Sequence, residues 1–293
     1  MSKIACFGEV LWDVFPTHKK IGGAPLNVAL RLHSFTNNVA IISSVGNDDE
    51  GLEIINYIKE QGLSVDFIQK NTDYNTSNVK VLLDDKGAAS YTIKQPCAWD
   101  YIENNNAIKE VVTNSDAFIF GSLVARNNTS KETLVNLLSS ANFTVFDVNL
   151  RPPHYQLNVL TEFMQKASFI KFNDDELFEI NQSLGYKNQS LKENIQYIAK
   201  HTNTNKICVT RGANGAILFY ENQFYENNGY AIKVADTVGS GDSFLATLIH
   251  HLLKKTNPQI AINTACAVGA LVAKNQGANP KISSEDIKKI MTL

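Results

Sequence analysis

Apolar residues along the chain gather in short runs of strand length, and stretches of helical period lie between them. Ile4 to Gly8, Val39 to Val45, Val65 to Gln69, Ala117 to Phe120, Thr144 to Val148 and Ser168 to Phe172 read as strands. Gly51 to Gln61 and Thr129 to Ser139 read as helices, as does the segment from Pro25, where apolar residues recur at Leu26, Ala29, Leu30 and Leu32. This alternation predicts a parallel sheet with crossover helices. The period changes at Thr76 to Leu83 and Ala88 to Lys94, two strand-like runs joined by Asp84-Asp85-Lys86-Gly87, a hairpin signal. A hairpin inserted into a βα series reads as a flap, and its exposed edge is free to pair with a second copy of the chain. Trp99, on the way back, reads as a packing residue. Ile207 to Thr210 and Ala216 to Tyr220 flank the glycine-bearing turn Arg211 to Gly215, another hairpin pattern, and Ile260 to Lys274 and Ser284 to Met291 read as helices.

The chain is organised around Asp236-Thr237-Val238-Gly239-Ser240-Gly241-Asp242, set between a β-like run, Ala231 to Ala235, and a helical run, Ser243 to Lys254. A strand turning through two glycines into a helix leaves the first backbone N–H groups unpaired and aimed at one point. The peptide dipoles put positive charge there, and glycines let an anion approach without meeting a Cβ. Asp242, in the first turn, is expected to stay ionised under the same dipole and so be free to accept a proton. The plainer alternative is an N-cap serine with a first-turn acid.

Other candidates follow the predicted strand ends. Asp13 lies past the first strand, where open α/β sheets bind ligands. Gly22-Gly23 opens a second helix with Asn27 in its first turn, and Asp13, the glycine backbone and Asn27 together read either as partners for the hydroxyls of a small polyol or as a glycine turn beside a solvated acid. Arg151, after the strand ending at Val148, is a cation placed for a sugar oxygen or a phosphate. Asn173-Asp174-Asp175-Glu176 reads either as a capping box or as acids that hold the water shell of Mg²⁺.

Composition narrows the function. The 293 residues are 44% apolar, enough for a sizeable core, and the formal charge of -2 with no basic run argues against a nucleic-acid partner. No stretch reaches membrane-span length and none resembles a signal peptide, so the expected location is the cytoplasm. Four scattered cysteines, Cys6, Cys97, Cys208 and Cys266, read as reduced core thiols, and adjacent His250 and His251 as helix surface. Neither a Gly-x-x-x-x-Gly-Lys-Ser/Thr loop nor a dinucleotide fingerprint is present, which disfavours an oxidoreductase.

The two glycine-opened helices, Gly22-Gly23-x-x-x-Asn27-x-Ala29 and Asp236-Thr237-x-Gly239-Ser240-Gly241-Asp242, resemble the paired signatures of the ribokinase-like (PfkB) carbohydrate kinases. Asn173-x-x-Glu176 is similar to that family's magnesium-linked motif, and Thr210-Arg211-Gly212-x-x-Gly215 to its nucleotide-side turn. The resemblance covers essentially the whole chain. It implies an α/β fold, a doubly wound, mostly parallel sheet between helices, as one domain over residues 1–293, with a β lid from inserted strands around residues 10–20 and 74–100. It further implies ATP and Mg²⁺, with Asp242 as base and the N–H groups of Gly239, Ser240 and Gly241 as an anion hole. Asp13, Gly22, Gly23, Asn27 and Arg151 would bind the sugar; Asn173, Thr210, Gly212, Gly215 and Asn263 would line the nucleotide, and Glu176 would serve the metal. Members also use a monovalent cation such as K⁺ near Gly277-Ala278-Asn279-Pro280, but here Lys281 follows, which argues against that site. Gly8-Glu9-Val10-Leu11-Trp12-Asp13 and Asp147-x-Asn149-x-Arg151 are most similar to fructokinases. The alternatives are a 2-keto-3-deoxygluconate kinase, a ribokinase, or a non-catalytic sugar sensor on the same fold.

Overall fold

The computed structural model describes residues 1–83 and 89–292. β1 (Lys3–Phe7) is followed by two short strands, β2 (Leu11–Val14) and β3 (Lys19–Gly22), and then by α1 (Ala24–Ser34), β4 (Asn38–Gly46), α2 (Asp49–Glu60) and β5 (Ile68–Asn71). β6 (Ser77–Leu83) and β7 (Ala89–Ile93) come next; the predicted turn at Asp84 to Gly87 lies outside the described residues. The alternation resumes with α3 (Asn106–Thr113), β8 (Ala117–Gly121), α4 (Asn128–Leu138), β9 (Thr144–Asp147), α5 (Leu157–Lys166), β10 (Phe169–Asn173), α6 (Asp174–Ser183), α7 (Leu191–Thr202) and β11 (Lys206–Thr210). β12 (Ala216–Tyr220) and β13 (Gln223–Asn227) form the expected hairpin, and α8 (Ser240–Leu253), α9 (Pro258–Ala273) and α10 (Ser284–Met291) complete the chain.

Nine strands make one sheet in the order β13-β12-β11-β10-β9-β8-β1-β4-β5, parallel from β5 to β11 and antiparallel over β12 and β13. The chain steps from β1 outward to β4 and β5 and then returns to the other side of β1 at β8. Strand order therefore reverses between β1 and β8, and a crevice opens at the carboxyl ends of such strands. Both faces are covered, which is why the inner strands are mostly apolar; among the buried positions of β1, β8, β9 and β10 only Lys171 and, at the end of β9, Asp147 are charged. Ile4 and Cys6 of β1 pack among residues of α1, α2, α8 and α9, whereas Ala5 and Phe7 pack among residues of α3 to α7. On the second face Phe120 and Phe146 stack at 5.0 Å, and Phe163 of α5 meets both edge-on at 5.6 and 5.8 Å. The lid is a separate sheet, ordered β3-β2-β6-β7. Its two hairpins are joined by a parallel seam that sets Leu11 against Ser77 and Val14 against Lys80.

Two sequence expectations change. Ala231 to Ala235 is not a strand: β13 already occupies that sheet edge, Val234 is 55% exposed, and the backbone instead donates from Ala235 and Asp236 to the Ala273 carbonyl at 2.9 and 3.2 Å. His250 is buried rather than on the helix surface, its ring 2.9 Å from the Asn37 amide and packed on Phe35. Trp99 is fully buried under the Arg126 guanidinium, and all four cysteines are buried thiols. No helix among the described residues is long and apolar enough to cross a membrane.

Candidate active site

The start of α8 is built as the sequence suggests, with one substitution of donors. Gly239 is the N-cap at φ 75°, and no side chain caps the helix. A Cβ on Gly239 would lie 2.5 Å from the Ala278 Cβ, so both the left-handed backbone and the close packing of residue 278 require glycine there. Asp236 holds the turn, accepting from Val238 N–H and Gly277 N–H at 3.0 Å each. The Ser240 N–H is spent on the Thr237 carbonyl at 3.2 Å. Among the described residues, the N–H groups of Gly239, Gly241 and Asp242 have no acceptor, and it is these three that remain available to an anion.

Asp242 stands at the centre of a charge cluster. Its Oδ2 accepts from Asn27 Nδ2 at 2.8 Å. Burial and the neighbouring charge of Asp147 raise its pKa to about 6, against the Asn27 bond and the charges of Lys171 and Arg151. Burial thus lifts Asp242 above the usual carboxylate range, and the carboxylate is still mostly ionised at pH 7, as its place in the first turn leads one to expect. Beneath Gly241 lies the Lys171 ammonium, 3.7 Å from where a Cβ would stand and 2.9 Å from Asp147 Oδ1. Burial pulls the pKa of Lys171 down, but Asp147, Glu176 and Asp242 outweigh it, so this cation is held charged under the helix start. Lys171 carried a signal in the sequence, being the one charged residue in the run Ser168 to Phe172.

On the β1 and lid side, Asp13 occupies β2 opposite Lys20, and its carboxylate lies across Gly22, where a Cβ would be 2.4 Å from Oδ2. Gly23, at φ 115°, lies so close to the Glu9 carbonyl that a Cβ would be 2.3 Å from it. Glu9 is buried, with Oε2 unpartnered among the described residues, and was not picked out as a site residue from sequence. Burial raises Glu9 to about 7 and Asp13 to about 6, and Arg151 offsets both. Arg151 Nη1 donates to the Leu150 carbonyl at 2.9 Å. Asn27 meets Asp242, and its other end meets Asn279.

The β10 and β11 side is joined to this by Glu176. Asn173 and Glu176 form a full capping box at 2.8 Å in each direction, and the second Glu176 oxygen accepts from Leu150 N–H at 2.9 Å. Asn173 is paired with Thr210 on the next strand. Gly212 has open space where a Cβ would be, whereas Gly215 lets the Asn227 to Gly229 backbone approach, with a Cβ only 2.0 Å from the Asn227 carbonyl. Asn263 belongs to the same wall, its Oδ1 accepting from Asn227 and Gln259 at 2.9 Å each.

The family model described as pfkB family carbohydrate kinase matches residues 1–285. A fructokinase from Vibrio alginolyticus is 29% identical over 301 residues, covering 95% of each chain. The crystal structure of a fructokinase with bound ATP from Xylella fastidiosa superposes with a TM-score of 0.87 at 21% identity, over 100% of this chain and 99% of that one. A 2-dehydro-3-deoxygluconokinase from Thermotoga maritima superposes with a TM-score of 0.86 at 19% identity over the full length of both. The two structures share the fold, and the family match runs over nearly the whole sequence: the protein belongs to the pfkB family of carbohydrate kinases.

Proposed function

We propose that the protein transfers the γ-phosphate of ATP to a hydroxyl of a small neutral monosaccharide, with fructose its preferred acceptor. The observation that carries the neutral-sugar reading is charge balance. Beyond the ammonium groups of Lys20 near Asp13 and Lys171 near Asp242, Glu9, Asp13 and Asp242 share a single guanidinium, Arg151. Arg31 is committed to Ser243 and the Pro280 carbonyl, and Arg126 to Asp100. A keto acid would bring a fourth carboxylate into that cluster and needs a bidentate Arg of its own, whereas a polyol needs only hydroxyl partners. The similarity to fructokinases points the same way.

In this reading Asp242 orients the attacking hydroxyl and takes its proton late, as suits a loose phosphoryl-transfer transition state. The N–H groups at the start of α8, with Lys171 beneath them, take the developing phosphate charge. Asp13 and the Gly22-Gly23 backbone hold sugar hydroxyls, and Asn173, Thr210, Gly212, Gly215 and Asn263 line the nucleotide. Mg²⁺ arriving with the nucleotide would neutralise phosphate charge. Both Glu176 oxygens already accept backbone N–H groups, and no cluster of three metal-ligating side chains occurs among the described residues, so Glu176 fits a contact through a metal-bound water rather than direct ligation.

An ADP-release screen over fructose, ribose, adenosine and 2-keto-3-deoxygluconate tests the reading. Fructose should lead the keto acid by at least about tenfold in kcat/KM, roughly 1.4 kcal/mol of transition-state binding. A better keto acid would defeat the fructose reading and leave the kinase standing; sugar binding without ADP release would favour a sensor.

A further inference from the structure

The hydrogen bond to Asp242 is the end of a chain. Asn27 Nδ2 donates to Asp242 Oδ2 at 2.8 Å, and Asn279 Nδ2 donates to Asn27 Oδ1 at 2.8 Å. Chemistry fixes these directions. An ionised carboxylate only accepts, so Asn27 must turn its NH₂ to Asp242; its carbonyl then faces Asn279, which must donate. Asn279 is well seated for this. On one side Ala278 packs against Gly239 at the α8 N-cap, and on the other the Pro280 carbonyl accepts from Arg31 of α1 at 2.9 Å. The Asn279 Oδ1 is buried without a partner among the described residues. An amide left half satisfied costs stability, so its NH₂ group is what accounts for the residue.

We propose that Asn279 is a positioning residue which, by holding the Asn27 carbonyl, keeps the Asn27 NH₂ on Asp242 and so maintains the carboxylate in its proton-accepting form. Without it the Asn27 amide is held at one end only, and its NH₂ is free to swing off the carboxylate. This rests on the reading of Asp242 as the base.

The test is a pH profile of kcat for Asn279→Ala and Asn279→Asp, with melting curves to verify folding. An ionised Asp at 279 can only accept, so it draws the Asn27 NH₂ to itself; being isosteric, it serves if the alanine variant does not fold. Loss of the bond to Asp242 raises the pH at which the base loses its proton. The acid limb should move up by about one pH unit, as loss of one charge-assisted hydrogen bond implies. At pH 6 kcat should fall several-fold, with both KM values within about twofold of wild type. In an Asn27→Ala background, Asn279→Ala should add nothing. An unmoved acid limb in both variants, or a full effect without Asn27, overturns the relay. An active Asp242→Asn enzyme instead overturns the base assignment.

Discussion

Two neighbouring glycines at the start of α8 should respond to the same substitution in opposite ways. At Gly239 an alanine must adopt φ 75°, which costs about 1–2 kcal/mol, and its Cβ overlaps Ala278 at 2.5 Å, which adds a similar overpacking penalty. The total of about 3 kcal/mol corresponds to a loss of roughly 6 °C in Tm for a chain of this size. At Gly241 the backbone is helical and the nearest atom is the Lys171 Nζ at 3.7 Å. Alanine there should leave stability unchanged or raise it by about 0.5 kcal/mol, because the unfolded chain loses freedom. Its methyl, however, would stand among the free N–H groups where a phosphate must approach, and a displacement of about 1 Å costs on the order of 10²-fold in rate. Differential scanning fluorimetry with ADP-release kinetics separates the two. Gly241→Ala with more than about half of wild-type kcat/KM would refute the anion-site reasoning, whatever Gly239→Ala does.

Asp242→Asn should lower kcat by about 10² to 10⁴ with little change in Tm, measured by coupled ADP release. With wild-type Asp242 raised to about 6, kcat should fall about tenfold per pH unit below that value and level off above it. Asp13 is protonated more readily in the folded state than in the unfolded chain, between its ordinary 3.8 and about 6, so its ionisation weakens the fold as pH rises through that window. The Tm of Asp13→Asn relative to wild type should accordingly increase from pH 4 to pH 7. Lys171→Met leaves Asp147 buried and unpaired and should cost about 3–5 kcal/mol in urea denaturation. Adding Asp147→Leu should restore most of that stability without restoring turnover.

What could be read from the sequence was what is local. β1, β4 and β8 were legible because burial on both faces makes their runs apolar, broken within β4 only by the small residues Ser43 and Ser44, and the lid because its period breaks the βα series. β13 escaped notice since Gln223–Asn227 carries polar residues and stays half exposed, and α3 and α7 since their apolar faces are narrow; their caps, Asn105 and Ser190, were the available signals. Ala231 to Ala235 has strand chemistry but no free edge to pair with, which no local pattern reveals. At the site, the helix start and Asp242 are encoded in seven consecutive residues. The bonds of Asn27 to Asp242 and Asn279 were not legible, because those partners lie 215 and 252 positions away. Asp242 and Glu9 owe their proton affinities to burial, which depends on the assembled fold.

The parallel seam of the lid has a mechanical consequence. β2 is an inner strand, flanked by β3 and β6, and it carries Asp13. Any movement that lifts β6 and β7 therefore pulls on β2 and takes the Asp13 carboxylate with it, while Glu9, anchored just past β1, stays with the main sheet. In such a movement one wall of the pocket would travel and the other would not. A ligand that bridges Asp13 and the main sheet acts as a clasp between the two bodies, so sugar alone should slow amide exchange along Leu11–Val14 and Ser77–Lys80 before any nucleotide has bound.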